Sequence, residues 1–221
     1  MNTVTNARMN KPAHKDSTIS RRRWCVGLVA GLGGAGYALL PGVAMAEKTA
    51  VVTWAGRNDL GLLAREWRRD GGVLLIRHAA TEAGLGDPPE FVLGQCRTQR
   101  NLSEEGRQAS RQLGLAFRQL GIQPDAVRSS QWCRCQDTAR LAFGQFEDWP
   151  PLNSTFAGQG DAAAQQMAMR QRLQELPAGR MEVWVTHQVN MTALTGAYPA
   201  MGEGFLVNRQ ARLLARGGLA V

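Results

Sequence analysis

The sequence is poor in the side chains that usually bind metals. It holds three histidines and four cysteines in 221 residues, and beyond residue 46 only His78, His187, Cys96, Cys133 and Cys135 remain. These residues lack the paired spacing of a zinc site. We therefore expect no metal and no other cofactor.

The sequence also lacks an apolar run of the ~20 residues that a bilayer requires. Its N-terminal apolar stretch, residues 25–40, has 16 residues, of which five are glycine. Arginines at 21–23 precede this stretch, and an Ala-Met-Ala segment at 44–46 offers the small residues of a cleavage site. Residues 1–46 are therefore interpreted as a cleaved export signal of the twin-arginine kind, which predicts a periplasmic or secreted protein without a stable membrane span. An uncleaved membrane anchor is the alternative.

A strong basic excess is missing once the export signal is set aside. The whole chain has 26 basic and 18 acidic residues, a formal net charge of +8. Six of the basic residues and one acid lie within residues 1–46, so the remainder carries a net charge of only +3. Binding to nucleic acid usually needs a dense basic face. We expect no nucleic-acid partner.

Residues 47–221 fit one domain in which strands and helices alternate. Two short apolar runs, residues 72–78 and 181–187, each end on a histidine and are typical of buried parallel strands. The other predicted elements are a helix over 58–70, a helix capped by Ser103, a strand over 126–129, a helix capped by Ser129 or Ser130 that reaches residue 143, a helix over 161–176, and two or three short strands in the Gly-rich tail. This alternation predicts an α/β fold, a three-layer sandwich with a mostly parallel central sheet.

Basic side chains gather where the predicted strands end. Ligands bind beyond the carboxyl ends of strands in open α/β sheets, so we expect His78 and His187 to face one crevice. Arg77 precedes His78 directly, and Arg134 lies in the first turn of a predicted helix. Two histidines and two arginines around an anion suggest phosphoryl transfer without a metal. The alternatives are that each histidine is a hydrogen-bonded core residue and that Arg134 pairs with Asp137 on the helix surface.

Four motifs occur in a fixed order along the chain. They are Leu75-Ile76-Arg77-His78-Ala79-Ala80-Thr81, Asn101-Leu102-Ser103-Glu104-Glu105-Gly106-Arg107-Gln108-Ala109, Ser129-Ser130-Gln131-Trp132-Cys133-Arg134-Cys135-Gln136-Asp137-Thr138-Ala139 and Val185-Thr186-His187. Together they resemble the histidine phosphatase superfamily, whose members include the phosphoglycerate mutases, over most of residues 73–190. The resemblance implies a phosphoglycerate mutase-like fold with His78 as the phosphorylated nucleophile. It also implies a phosphate pocket, formed by Arg77, Arg134 and His187, and a hydrogen bond from Thr81 near its mouth.

Three positions depart from the family's pattern and leave the proton donor open. Ala79 stands where a glycine often follows the nucleophile, Gln188 where one branch has an aspartate, and Ser154 where the mutase-like branch has a glutamate. The candidate acids are Asp161, Glu82, Glu147 and Asp148. Asp161 also begins a helix and can serve as its cap. Without an acid, the enzyme would favour leaving groups that are already acidic, as in anhydrides, acyl phosphates and aryl phosphates.

The expected function is that of an exported phosphatase that hydrolyses phosphate monoesters or similar small phosphorylated compounds through a phosphohistidine on His78. A phosphate-ester-binding protein with the same fold is one alternative, and a phosphomutase is another. We expect a pH profile whose acid limb lies near the ordinary imidazole pKa. In an oxidising compartment, Cys96 can bond to Cys133 or to Cys135, which leaves one thiol over.

Overall fold

The computed structural model describes residues 52–54, 57–84 and 86–218. The predicted export signal, residues 1–46, lies outside these residues. The strands are β1 (Val52–Trp54), β2 (Gly72–Arg77), β3 (Ala126–Ser129), β4 (Glu147–Asp148), β5 (Met181–Thr186), β6 (Glu203–Val207) and β7 (Leu213–Gly218). The helices are α1 (Arg57–Asp70), α2 (Glu104–Gln119), α3 (Cys133–Phe143), α4 (Ala162–Glu175) and α5 (Gln188–Thr195). In this part of the chain, no helix combines the length and apolar character needed to cross a membrane.

The strands form one sheet in the order β1-β7-β6-β2-β5-β3-β4. The pairs β1/β7, β2/β5, β3/β5 and β3/β4 are parallel, whereas β6 runs antiparallel to both β2 and β7. Strands β2 and β5 are central neighbours, and Arg77 pairs in register with Thr186. Their carboxyl ends therefore lie at the same edge of the sheet, and each is followed by a histidine.

Both faces of the sheet are covered by helices. In β2, Leu74 and Ile76 pack into a cluster with side chains from α1, α2 and α3, while Val73 and Leu75 pack on the other face with α4 and α5. Burial on both faces explains why the central strands are continuous apolar runs rather than alternating ones. The predicted three-layer α/β sandwich with a mostly parallel sheet is confirmed.

Two helix starts follow the local signals. Ser103 caps α2 by accepting a hydrogen bond from the Gly106 backbone N–H at 3.2 Å, and Asp161 caps α4 by accepting one from the Ala164 N–H at 3.0 Å. Residue 106 must be glycine because a Cβ there would collide with the Ala80 carbonyl oxygen. The first turn of α2 thus packs directly against the backbone that follows His78.

The predicted start of α3 is wrong. The helix begins at Cys133 after Trp132, and no side chain caps it, whereas the Ser130 hydroxyl lies 2.8 Å from Nε2 of His187. A tertiary partner has therefore taken the hydroxyl that was expected to serve as the cap.

Strands β1 and β4 and helix α5 were not predicted. The two strands have only three and two residues, and α5 has eight residues without a side-chain cap.

A disulfide joins the long loop after β2 to the start of α3. Cys96 bonds to Cys133, and Cys135 is a free, buried thiol, which decides between the two pairings that the sequence left open. Closing a loop of this length contributes about 4 kcal/mol in the chain-entropy account. The bond fixes residues 86–100 against the helix that carries Arg134.

Candidate active site

His78 follows β2 and is held as a neutral imidazole. Its backbone N–H donates to the Thr186 carbonyl at 3.0 Å, and its ring Nδ1 lies 3.0 Å from the Ala79 carbonyl. Because a carbonyl can only accept, Nδ1 carries the proton and Nε2 carries the lone pair. Burial, reinforced by the charge of Arg134, lowers the pKa of His78 to about 3. The ring is therefore a nucleophile that needs no deprotonation near neutral pH.

Ala79, the first departure from the family pattern, supports this arrangement through its backbone. Its carbonyl fixes the His78 tautomer, and its N–H donates to the Thr138 hydroxyl at 3.1 Å. The Thr138 hydroxyl in turn donates to the carbonyl of Arg134 at 2.7 Å. The nucleophile loop and the first turn of α3 are thereby bonded to each other.

His187 follows β5 and lies beside His78, with 5.4 Å between the ring centroids. Its Nδ1 is 3.5 Å from Nη2 of Arg134, which can only donate, so the ring proton is on Nε2. Nε2 then donates to the Ser130 hydroxyl at 2.8 Å, and that hydroxyl donates to Oδ1 of Asn153 at 3.2 Å. Burial and the neighbouring Arg134 hold the pKa of His187 well below its usual value.

Arg134 is buried, with 4% of its surface exposed. Its Nη1 donates to Oδ1 of Asp87 at 2.7 Å. The predicted alternative of a surface pair with Asp137 is wrong, because Asp137 pairs with Arg107 and Arg140 instead. Arg134 thus lies between a carboxylate and His187, at the point where the motif analysis expects the phosphate.

Two charged residues of the site escaped the sequence analysis, namely Asp87 and Arg100 in the loop after β2. Asp87 accepts from Arg134, from the Arg100 backbone N–H at 3.0 Å and from the Trp132 indole at 3.1 Å. Although burial opposes it, these bonds keep the pKa of Asp87 below its usual value. The length of the loop and its Gly86-Asp87-Pro88-Pro89 turn were the available signal, since long irregular loops are usually functional.

The histidines and arginines line one cavity of about 300 Å³. Its lining includes Arg77, His78, Asp87, Arg100, Arg134, Ser154, Phe156, His187, Gln188 and Tyr198. The two histidines thus face one cavity, and each is also buried and hydrogen-bonded. Within the described residues, the Nε atoms of Arg77, Arg100 and Arg134 are buried without a hydrogen-bond partner. The three guanidinium groups bring positive charge to this cavity, which favours an oxyanion as its ligand.

The remaining predicted site residues lie elsewhere. Thr81 is not among the residues that line the cavity; its hydroxyl faces the Met201 sulfur at 3.9 Å. Asp161 is exposed, caps α4 and does not line the cavity either. Among the other candidate acids, Glu82 is exposed, Glu147 pairs with Arg128 at 2.8 Å, and Asp148 accepts from Gln136 at 2.8 Å. The structure brings none of these four carboxyls into the cavity.

Acidification is expected to destabilise the fold through its buried imidazoles. In the unfolded chain, His78 takes up a proton near pH 6.5, whereas in the fold its pKa is about 3. Its contribution to stability is therefore complete above pH 6.5 and is lost as the pH falls from 6.5 toward 3. We expect the free energy of unfolding, measured with urea, to fall between pH 6 and pH 4. The fall should be steeper in the wild type than in His78→Gln, by roughly 1 kcal/mol per pH unit. Equal slopes for the two proteins would contradict the neutral, buried state of His78.

The low pKa of His78 also shifts the acid limb of the pH–activity profile to lower pH. The sequence alone predicts a limb near the ordinary imidazole pKa. With a pKa of about 3, His78 stays unprotonated through mildly acidic pH, so the limb that reports it lies well below pH 6.

Comparisons with known proteins agree with this geometry at the level of family. Residues 73–193, just over half of the chain, match the histidine phosphatase superfamily (branch 1). No curated protein matches the chain. Among solved structures, the protein TTHB049 from Thermus thermophilus is 20% identical with a TM-score of 0.47 and covers 66% of this chain and 98% of its own. The protein histidine phosphatase SixA complexed with tungstate is 14% identical with a TM-score of 0.45 and covers 66% of this chain and 96% of its own. On the family match, this chain belongs to the histidine phosphatase superfamily.

Proposed function

We propose that this protein is an exported phosphatase that hydrolyses small phosphate monoesters through a phosphohistidine on His78. The observation that carries the proposal is a neutral imidazole, with its lone pair on Nε2, in a cavity lined by three arginines. The imidazole attacks phosphorus in line, and the arginines stabilise the charge on the equatorial oxygens, with Nη2 of Arg134 held by Nδ1 of His187. Export rests on the signal-like composition of residues 1–46.

The phosphoenzyme is the intermediate that tests this proposal. Protein of residues 47–221 is incubated briefly with radiolabelled 4-nitrophenyl phosphate, quenched and digested, and the label is mapped. We expect acid-labile, alkali-stable label on the peptide that contains His78 and none on the same peptide of His78→Gln. A protein that binds inorganic phosphate but yields no phosphohistidine from any donor would instead be a binding protein with this fold.

The proposed chemistry draws its positive charge from Arg77, Arg100 and Arg134 rather than from a metal. We therefore expect turnover of 4-nitrophenyl phosphate to be the same before and after dialysis against EDTA. If EDTA abolished turnover and a divalent cation restored it, the arginines would not be the groups that neutralise the phosphate.

A further inference from the structure

We infer that the substrates of this site are aryl monophosphates, with an acidic leaving group and an otherwise uncharged body. This inference rests on the proposed phosphatase function and narrows it. Three features of the cavity support it: the ionised state of its carboxyl group, its net charge, and the uncharged residues in the rest of its lining.

The cavity offers no carboxylic acid to the leaving group. Asp87 is the one carboxyl among its lining residues in the described part of the chain. It accepts three hydrogen bonds, one of them from its ion-pair partner Arg134. Its side chain is only 7% exposed. A carboxyl held ionised by donors on both oxygens cannot donate a proton. Ser154, which lines the same cavity, carries only a weakly acidic hydroxyl.

The two imidazoles do not replace the missing acid. The Nδ1 proton of His78 is donated to the Ala79 carbonyl, and the Nε2 proton of His187 is donated to Ser130. Both rings are neutral near pH 7 because their pKa values lie far below the usual range. With neither a carboxylic acid nor an imidazolium in the cavity, the leaving oxygen departs as an anion, which a phenol does readily and an alkyl alcohol does not.

The steps balance without an added acid. The lone pair of His78 Nε2 forms the P–N bond as the P–O bond to the aryl group breaks, and the aryl oxygen leaves with the bonding electrons as aryloxide. Water then attacks phosphorus, the P–N bond breaks, and both protons of that water stay on the phosphate, which leaves as the monoanion. His78 returns to its neutral form, so one dianionic ester and one water give one aryloxide and one dihydrogen phosphate.

The charge of the cavity matches one phosphate group. Three arginines and one ionised aspartate line it, with both histidines neutral, which gives a net charge of +2. A phosphate monoester dianion neutralises this charge, and a second anionic group on the substrate would find no remaining cation. The rest of the lining is uncharged and includes Phe156, Val189 and Tyr198. A volume of about 300 Å³ is at the small end of ligand sites and suits a single ring.

A series of four phosphates tests the inference on the wild-type protein. We expect kcat/KM, which reports phosphorylation of His78, to fall from 4-nitrophenyl to phenyl phosphate, and by roughly 100-fold or more from phenyl to benzyl phosphate, because the benzyl alkoxide needs the acid that is missing. Phenyl and benzyl phosphate share a ring and a charge, so the comparison isolates the leaving group. We expect 4-carboxyphenyl phosphate to react roughly 10-fold more slowly than phenyl phosphate, despite its more acidic phenol, because its carboxylate is uncompensated.

A variant with an added carboxyl group in the cavity provides a second test of the inference. Ser154→Glu is expected to raise the ratio of kcat/KM for benzyl phosphate to kcat/KM for 4-nitrophenyl phosphate by roughly 10-fold or more, and Ser154→Gln, of the same size, should leave that ratio at its wild-type value. The wild-type series decides the inference even where these variants fold poorly.

The outcomes separate this inference from the function on which it rests. Equal kcat/KM for phenyl and benzyl phosphate, or faster turnover of the 4-carboxyphenyl ester, would overturn the inference while phosphohistidine still formed on His78. The same holds if only a non-aryl donor, such as acetyl phosphate, phosphorylates His78. Absence of phosphohistidine with every donor would overturn the proposed function itself.

Discussion

Replacing His78 with glutamine is expected to lower kcat for 4-nitrophenyl phosphate by roughly 10⁴-fold or more, because the variant loses the atom that forms the covalent intermediate. Glutamine keeps a polar side chain of similar length but cannot accept the phosphoryl group. Initial rates of nitrophenolate release measure the effect directly. Circular dichroism and urea unfolding of the variant establish that its fold is retained.

His187→Gln is the matched control for this assignment. His187 is equally buried and lies 5.4 Å away between ring centroids, but its two ring nitrogens are bonded to Arg134 and Ser130, so it positions Arg134 and does not bond to phosphorus. We expect kcat/KM of His187→Gln to fall roughly 10²-fold, and we expect this variant still to form phosphohistidine at residue 78. Should the label survive in His78→Gln and vanish in His187→Gln, the two histidines would have exchanged roles.

Replacing Arg134 with glutamine is expected to lower kcat/KM by roughly 10³-fold, since it removes a buried charge that stabilises the transferring phosphoryl group. Arg134→Lys keeps the charge but loses the planar fork that contacts Asp87 and His187 together, so we expect it to recover only part of the activity. Arg140→Gln lies on the same helix, faces solvent with 56% of its side chain exposed, and should react at the wild-type rate.

Arg134→Gln needs a stability control because it leaves Asp87 buried without its cation. Removing one partner of a buried ion pair costs about 3 to 5 kcal/mol. The double variant Asp87→Asn, Arg134→Gln removes both charges and should regain much of that stability while staying as inactive as Arg134→Gln. Activity that returned together with stability would show that Arg134 is a structural residue and not a phosphate ligand.

The local sequence specified more of the scaffold than of the active site. The apolar runs that end at Arg77 and Thr186 were sufficient to predict two central strands, because a strand buried on both faces leaves few polar positions. Ser103 and Asp161 marked helix starts through a bond that spans three residues. Ser130, by contrast, is one of the two serines that the local pattern predicts as a cap, and its hydroxyl bonds to His187 instead. A hydroxyl has the same local signature in either role, so only the position of β5 could distinguish them.

The groups at the strand ends could be predicted from the order of residues alone. His78, His187, Arg77 and Arg134 each lie at the end of a strand or in the first turn of a helix, and such positions follow from periodicity and chain order. The rest of the site depends on how the chain packs. Asp87 and Arg100 belong to an aperiodic loop, which a disulfide and a buried ion pair hold against α3. The protonation of both imidazoles depends on burial and on the charges around them, and these are set by packing between segments far apart in the chain.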